Sequence, residues 1–295
     1  MTDLRAQLLR LLGDQHCEIT EAKSHGSTPC GAFDCHDLAL SFDDGQESRA
    51  WFIAPPKPHI APVPAVLYCH AHGNNYAIGR DELLGGRPAL IAPYGPALAE
   101  AGIASLALDL PCFGSRSDLA EPAMARQALW HGKPLFGRML AELAAAARWL
   151  GDRPEIAQIA TLGLSMGATH AFWLAALLPE IAGAAHLACF ADLGTLVATG
   201  RDNQHGPYMM VPGLLPLART GEIAGLVAPR PQLVCIGQAD PLTPRAALQT
   251  GLRDLRTAYA DTPDRLHVLL EPDLGHAESP EMRREVLKFL RNTLH

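Results

Sequence analysis

No run in this chain approaches the roughly 20 consecutive apolar residues that a membrane-spanning helix needs, so no membrane contact is expected. An excess of positive charge is also missing: 24 Lys and Arg against 31 Asp and Glu give a formal net charge of −7, which leaves no basic footprint for nucleic acid. Paired cysteine spacings are absent. The seven cysteines are scattered at Cys17, Cys30, Cys35, Cys69, Cys112, Cys189 and Cys235, and Cys69, Cys189 and Cys235 fall in apolar strand-like runs where a reduced thiol acts as a small hydrophobe. A reducing, cytoplasmic setting is expected rather than a disulfide framework. The group His25, Cys30, Cys35 and His36 has none of the tight pairs that impose tetrahedral zinc geometry, and His70-x-His72 is followed by no further ligand at a metal-hydrolase spacing, so no metal is expected. Internal repeats and low-complexity segments are lacking. The first dozen residues read as a short amphipathic helix carrying Asp3 and two Arg, not as a signal peptide.

What is present is apolar sequence in short, punctuated runs, 48% of residues in all, enough for a large core. Beyond the first helix a polar stretch containing Gly and Pro runs to Gly31. His36 to Phe42 and Ser48 to Ala54 then alternate like an antiparallel strand pair joined through Asp43-Asp44-Gly45. A Pro-rich loop, Pro55 to Pro64, follows. From there strands and helices alternate. Strands are predicted at Ala65 to Cys69, Ile103 to Leu108, Ala157 to Leu162, Ala184 to Phe190, Gln232 to Ile236 and Leu266 to Leu270. Helices are predicted at Tyr94 to Ala101, Pro134 to Leu150, after Ser165, at Pro244 to Tyr259 and at Pro280 to Leu290. This is the pattern of a mostly parallel α/β sheet covered on both faces. One domain over residues 1–295 is expected, with residues 1–64 as an N-terminal helix and strand pair. Two connections, Pro111 to Lys133 and Ala191 to Gly221, exceed ordinary loop length and are expected to cover the ligand-binding end of the sheet.

At Gly163-Leu164-Ser165-Met166-Gly167 a strand runs into a helix through a one-residue turn, the G-x-S-x-G pattern that exposes a serine hydroxyl at a helix N-terminus. The Met166 N–H is then placed to donate to an oxyanion. A serine nucleophile needs a base, and the base needs an acid to fix its tautomer. His276, in the Glu271 to His276 loop after the last strand, is the expected base, with Gly275 letting the backbone present the ring. His186 and His267 sit within strand patterns and read as core or surface residues. Asp240, after Gln232 to Ile236 and before Pro241, is the expected acid; Asp192, one strand earlier, is its competitor. The second oxyanion donor falls in Tyr68-Cys69-His70-Ala71-His72-Gly73-Asn74-Asn75. One register gives the N–H of His72, with His70 packing under the loop; the other gives Asn74.

These blocks together resemble the α/β-hydrolase superfamily, and within it the serine esterases like dienelactone hydrolase and acetyl xylan esterase. The resemblance runs from about Val63 to the C-terminus and includes His205-Gly206-Pro207-Tyr208-Met209-Met210-Val211-Pro212-Gly213 and Ala228-Pro229-Arg230-Pro231. It implies an α/β-hydrolase fold, Ser165 as nucleophile, His276 as base, Asp240 as acid, and hydrolysis of a small to medium carboxylic ester through an acyl-enzyme without a cofactor. Dienelactone hydrolases proper carry Cys where this chain has Ser. His205, Tyr208 and Phe113 are candidate pocket residues, with Trp130, Phe136 and Met209 as further lining. Two other readings compete. A thioesterase or peptidase of the same fold could use Arg80, Arg87, Arg116 and Arg201 against a charged substrate arm, unless these are solvated surface charges. A binding protein on a hydrolase scaffold would need none of the three triad residues. The N-terminal helix and hairpin are a candidate homodimer contact.

Overall fold

The computed structural model of the protein describes residues 3–56 and 61–295, so residues 57–60 of the expected Pro-rich loop lie outside it. Nine strands are found among the described residues: β1 (Ile19–Cys30), β2 (Phe33–Phe42), β3 (Glu47–Ala54), β4 (Val63–Cys69), β5 (Ala104–Leu108), β6 (Ile156–Leu164), β7 (Ala184–Leu187), β8 (Gln232–Gly237) and β9 (Leu266–Glu271). They make one sheet in the order β1-β2-β3-β5-β4-β6-β7-β8-β9. The pairings from β1 to β5 are antiparallel and those from β5 to β9 are parallel. Strands β5, β7 and β8 are buried throughout, which is why they read as unbroken apolar runs.

The helices are α1 (Leu4–Leu11), α2 (Glu82–Gly85), α3 (Tyr94–Glu100), α4 (Glu121–Trp130), α5 (Leu135–Gly151), α6 (Met166–Leu177), α7 (Leu193–Ala198), α8 (Leu214–Leu217), α9 (Thr220–Gly225), α10 (Arg245–Ala258) and α11 (Pro280–Leu294). Apolar on every side, α6 is buried from Met166 to Ala176. The α/β architecture expected from the alternation is the one observed.

Three expectations need correction. The polar stretch before Gly31 is largely strand β1. It escapes a periodicity reading because it is a sheet edge, exposed at most positions and held by its ladder to β2 rather than by burial. β7 stops at Leu187, short of Phe190, because Ala188 takes a positive φ of 54° and turns the chain. The two long connections are partly helical: the first carries α4, the second α7 and α8. One face of α1 packs on the body of the protein: Leu8 is buried, and the Arg5 guanidinium donates to the carbonyls of Ala176 in α6 at 2.8 Å and of Leu226 after α9 at 2.7 Å.

The chain order positions the site. After β4 the chain builds β5 on one side, then crosses to build β6 on the other. The carboxyl ends of β4 and β6 therefore meet where the winding direction reverses, the place where open α/β sheets leave a crevice for ligands.

Candidate active site

Ser165 occupies the turn between β6 and α6 with φ 58° and ψ −118°, a conformation that L residues avoid. The surroundings hold it there. Its N–H donates to the Leu187 carbonyl at 2.8 Å, and its carbonyl accepts from the Thr169 N–H at 3.2 Å. The flanking glycines are steric requirements: a Cβ on Gly163 would strike the Gly167 carbonyl, and one on Gly167 would strike the Cys69 carbonyl of the neighbouring strand. The hydroxyl is thus presented at the N-terminus of a 12-residue helix, next to the first unpaired N–H groups.

His276 and Asp240 arrive from the loops after β9 and β8. The His276 Nδ1–H donates to Asp240 Oδ2 at 2.7 Å, which leaves the Nε2 lone pair facing the Ser165 hydroxyl at 2.9 Å. Asp240 is buried, and its carboxylate also accepts from the Leu242 N–H at 2.8 Å and the Thr243 hydroxyl at 3.2 Å. Glu278 fixes the His276 loop by accepting from the Ile91 N–H at 2.9 Å and from the Tyr94 hydroxyl, while its own N–H donates to the Ala89 carbonyl. The glycine that permits this approach is Gly237, where a Cβ would strike the carbonyls of Leu274 and Gly275. Gly275 itself has open space on its Cβ side and an ordinary φ, contrary to the role expected of it. Asp192 is engaged elsewhere: it caps α7, accepting from the Thr195 N–H at 3.0 Å and hydroxyl at 2.7 Å.

Three buried groups outside that trio shape the loop after β4. The Glu82 carboxylate accepts from the Ala71 N–H at 3.0 Å and the Tyr68 hydroxyl at 2.6 Å, while Arg87 pairs with Glu82 and donates to the Ala71 carbonyl at 2.9 Å. Glu121, at the start of α4, accepts from His72 Nε2–H, from the Tyr76 hydroxyl at 2.9 Å and from the Tyr208 N–H at 2.7 Å. Burial raises the Glu121 pKa, but the hydrogen bonds from His72 and Tyr208 outweigh it and hold the carboxylate below its ordinary range. With Nε2 protonated, His72 Nδ1 accepts from the Asn74 N–H at 3.0 Å. That N–H is therefore occupied, whereas no hydrogen bond from the N–H of His72 or Met166 is seen among the described residues. His70 lies beneath: its ring packs 5.0 Å from Phe113, Nε2 accepts from the Leu110 N–H at 3.3 Å, and burial pushes its pKa down to about 4. Glu82 and Glu121 were not foreseen. A glutamate at a helix start signals only a favourable dipole contact, and its tertiary partners lie 49 and 87 residues away in the chain.

Ser165 and His276 open into a pocket of about 210 Å³ that also touches Asn74, Cys189, His205 and Tyr208. His205 donates from Nε2 to the Leu242 carbonyl at 3.1 Å, and burial lowers its pKa. Phe113, expected in the pocket, sits behind it against His72 and Tyr76 and is fully buried. Trp130 is 85% exposed, and Phe136 packs under α6 against His170 and Trp173. Of the four loop arginines, three are neither solvated nor available to a substrate: Arg80 pairs with Asp37, Arg87 with Glu82 and Arg116 with Glu142. The Ala228 to Pro231 block lies at the start of β8, where Arg230 donates to the carbonyls of Ala175, Leu178 and Ile181 and closes the end of α6.

No family model matches the chain. It is 32% identical over 304 residues to "Putative hydrolase YtaP" of Bacillus subtilis (strain 168), covering 98% of both sequences. Its fold resembles that of a crystal structure described as a putative acetyl xylan esterase from Bacteroides fragilis, with TM-score 0.75, 18% identity, and 98% of this chain and 86% of that one covered. Acetyl xylan esterase 1 from Thermoanaerobacterium sp. JW/SL YS485 superposes with TM-score 0.72 at 17% identity, over 100% of this chain and 94% of that one. At that level of identity the likeness concerns the fold, and the fold is that of the α/β-hydrolases. No helix among the described residues is long and apolar enough to cross a membrane. The near-complete match at 32% identity makes the assignment: this chain belongs to the family of the Bacillus subtilis hydrolase.

Proposed function

We propose that the protein is a serine esterase that cleaves a small to medium carboxylic ester through an acyl-enzyme. One observation carries the reading. Ser165 Oγ, His276 Nε2 and Nδ1, and Asp240 Oδ2 form an unbroken hydrogen-bonded line, with spacings of 2.9 and 2.7 Å, and Ser165 and His276 line a pocket where the winding of the sheet reverses. Ser165 attacks the ester carbonyl while His276 takes its proton, and Asp240 holds the imidazolium that results. The oxyanion is received by the N–H groups of Met166 and His72; occupation of the Asn74 N–H by His72 Nδ1 favours the His72 register. His276 then protonates the leaving alcohol and later activates water to release the acid. This chemistry needs no metal or organic cofactor. The esterase names of the structural neighbours and the hydrolase name of the relative point the same way. Pairing of Arg80, Arg87 and Arg116 with buried or half-buried carboxylates weighs against a substrate with a large anionic arm.

The test is direct. Ser165→Ala should keep its thermal unfolding transition and lower p-nitrophenyl acetate turnover by at least about 10⁴. A fluorophosphonate probe should label the wild type and not the variant. Turnover that survives the substitution would remove Ser165 from the chemistry.

A further inference from the structure

A second, larger cavity adjoins the pocket of Ser165. It has a volume of about 570 Å³ against about 210 Å³, and the two share His205 and Gly206 as a common wall. Its lining is mainly aliphatic, drawn from α7, from the Pro207 to Leu215 segment and from Leu129 at the end of α4. Three of its residues, Val197, Met210 and Leu215, are 47%, 48% and 44% exposed, and they make up half of the six large apolar side chains this strongly exposed among the described residues. A fourth, Trp130, follows the lining residue Leu129. Exposed apolar side chains scattered singly carry no meaning, but a contiguous group in a concavity beside a reactive hydroxyl calls for an apolar occupant.

Resting on the esterase reading above, we propose that this groove binds the aliphatic arm of the ester substrate, so that the preferred substrates carry a chain of several methylenes rather than an acetyl group on a sugar. Adjacency decides for substrate over a protein partner: His205 and Gly206 line both the groove and the pocket of Ser165 and His276. A chain attached to a carbonyl at Ser165 needs only to pass this pair to reach an apolar surface. The alternative substrate, an ester of a sugar, would require polar groups along the groove. Only Asp202, Asn203 and His205 supply them, and the rest of the lining is hydrocarbon, thioether or backbone.

The experiment measures kcat/KM of the purified full-length protein on two ester series. One varies the acyl group of p-nitrophenyl esters from acetate to octanoate; the other varies the alcohol of alkyl acetates from ethyl to octyl. Fully buried methylenes contribute about fourfold each. In a half-open groove at least about tenfold across one of the two series is expected, and the series that rises identifies the half of the ester the groove accepts. The double variant Val197→Asp with Leu215→Asp, at two exposed positions, should reduce the octyl-to-short ratio of that series to near that of a flat profile. Profiles flat or falling in both series would overturn the proposal, as would a double variant that loses short and long esters equally. A wild-type dimer that the double variant dissociates with its chain-length profile unmoved would assign the patch to a second copy and overturn it too. None of these outcomes touches the triad, whose failure shows separately as ester turnover surviving Ser165→Ala.

Discussion

At the residue scale, the tautomer of His276 depends on Asp240. Only with the proton on Nδ1, donated to Asp240 Oδ2, does Nε2 face Ser165 as an acceptor. Asp240→Asn presents an amide that can favour the opposite tautomer, and kcat on short esters should fall by about 10³–10⁴ with little change in KM. Asp192→Asn is the control, because that carboxylate caps α7 and faces no part of the trio. Asparagine caps nearly as well, so stability should drop by less than about 1 kcal/mol and turnover should stay within a factor of about two. Reversal of the two effects in steady-state assays would move the acid to the earlier strand.

At the element scale, the loop between β4 and α2 is over-determined by buried carboxylates. Glu82 and Arg87 hold Ala71 from one side, and Glu121 holds the His72 ring from the other. Three donors converge on Glu121, from His72, Tyr76 and the Tyr208 backbone, so its carboxylate serves as acceptor only. Glu121→Gln turns one of its two acceptor atoms into an NH₂ that faces donors. A loss of about 1–3 kcal/mol in urea unfolding is expected from the unpaired group. A larger fall in kcat than in 1/KM should accompany it, since the His72 N–H would be misplaced for the charged intermediate while ground-state binding is kept. Glu121→Asp, which keeps the charge, should recover part of kcat; equal loss in both variants would mark Glu121 as structural only. None of this scaffold was legible in the sequence, and the reason is physical. Ser165 with its glycines, and the loops holding His276 and Asp240, are dictated by local backbone needs at strand ends, and local needs leave patterns. Glu82 and Glu121 act through contacts that only the folded chain creates, and β1 is held by ladder bonds that any polar residue can make. The helices inside the two long connections were hidden likewise, because α4 buries only Glu121 and Ala125 and shows no broad apolar stripe.

At the scale of the whole molecule, a sheet buried on both faces requires its polar interior groups to be neutral or paired, and three histidines meet the first condition. Burial holds His70 at about 4 and His170 and His186 at about 3, against an ordinary value of 6.5. All three are neutral in the fold at every pH above about 5, whereas in the unfolded chain they take up protons as pH drops through about 6.5. The unfolded state then binds more protons than the folded one, so stability rises with pH in this window and is lost on acidification. Each histidine contributes a slope of at most about 1.4 kcal/mol per pH unit. Marginal folds hold about 5–15 kcal/mol in total, so the three together can exhaust much of it between about pH 6 and 4. His170→Phe isolates one share. The ring stacks 5.1 Å from Phe136 inside the core, and phenylalanine keeps the ring while removing the titration. Urea unfolding at pH 7, 6, 5.5, 5 and 4.5 should show a variant no less stable than wild type by more than about 1 kcal/mol at pH 7, with a slope shallower by about 1.4 kcal/mol per unit below pH 5.5. Identical slopes would mean that His170 accepts its proton without the fold opening, and the acid limit of this protein would then lie with its carboxylates.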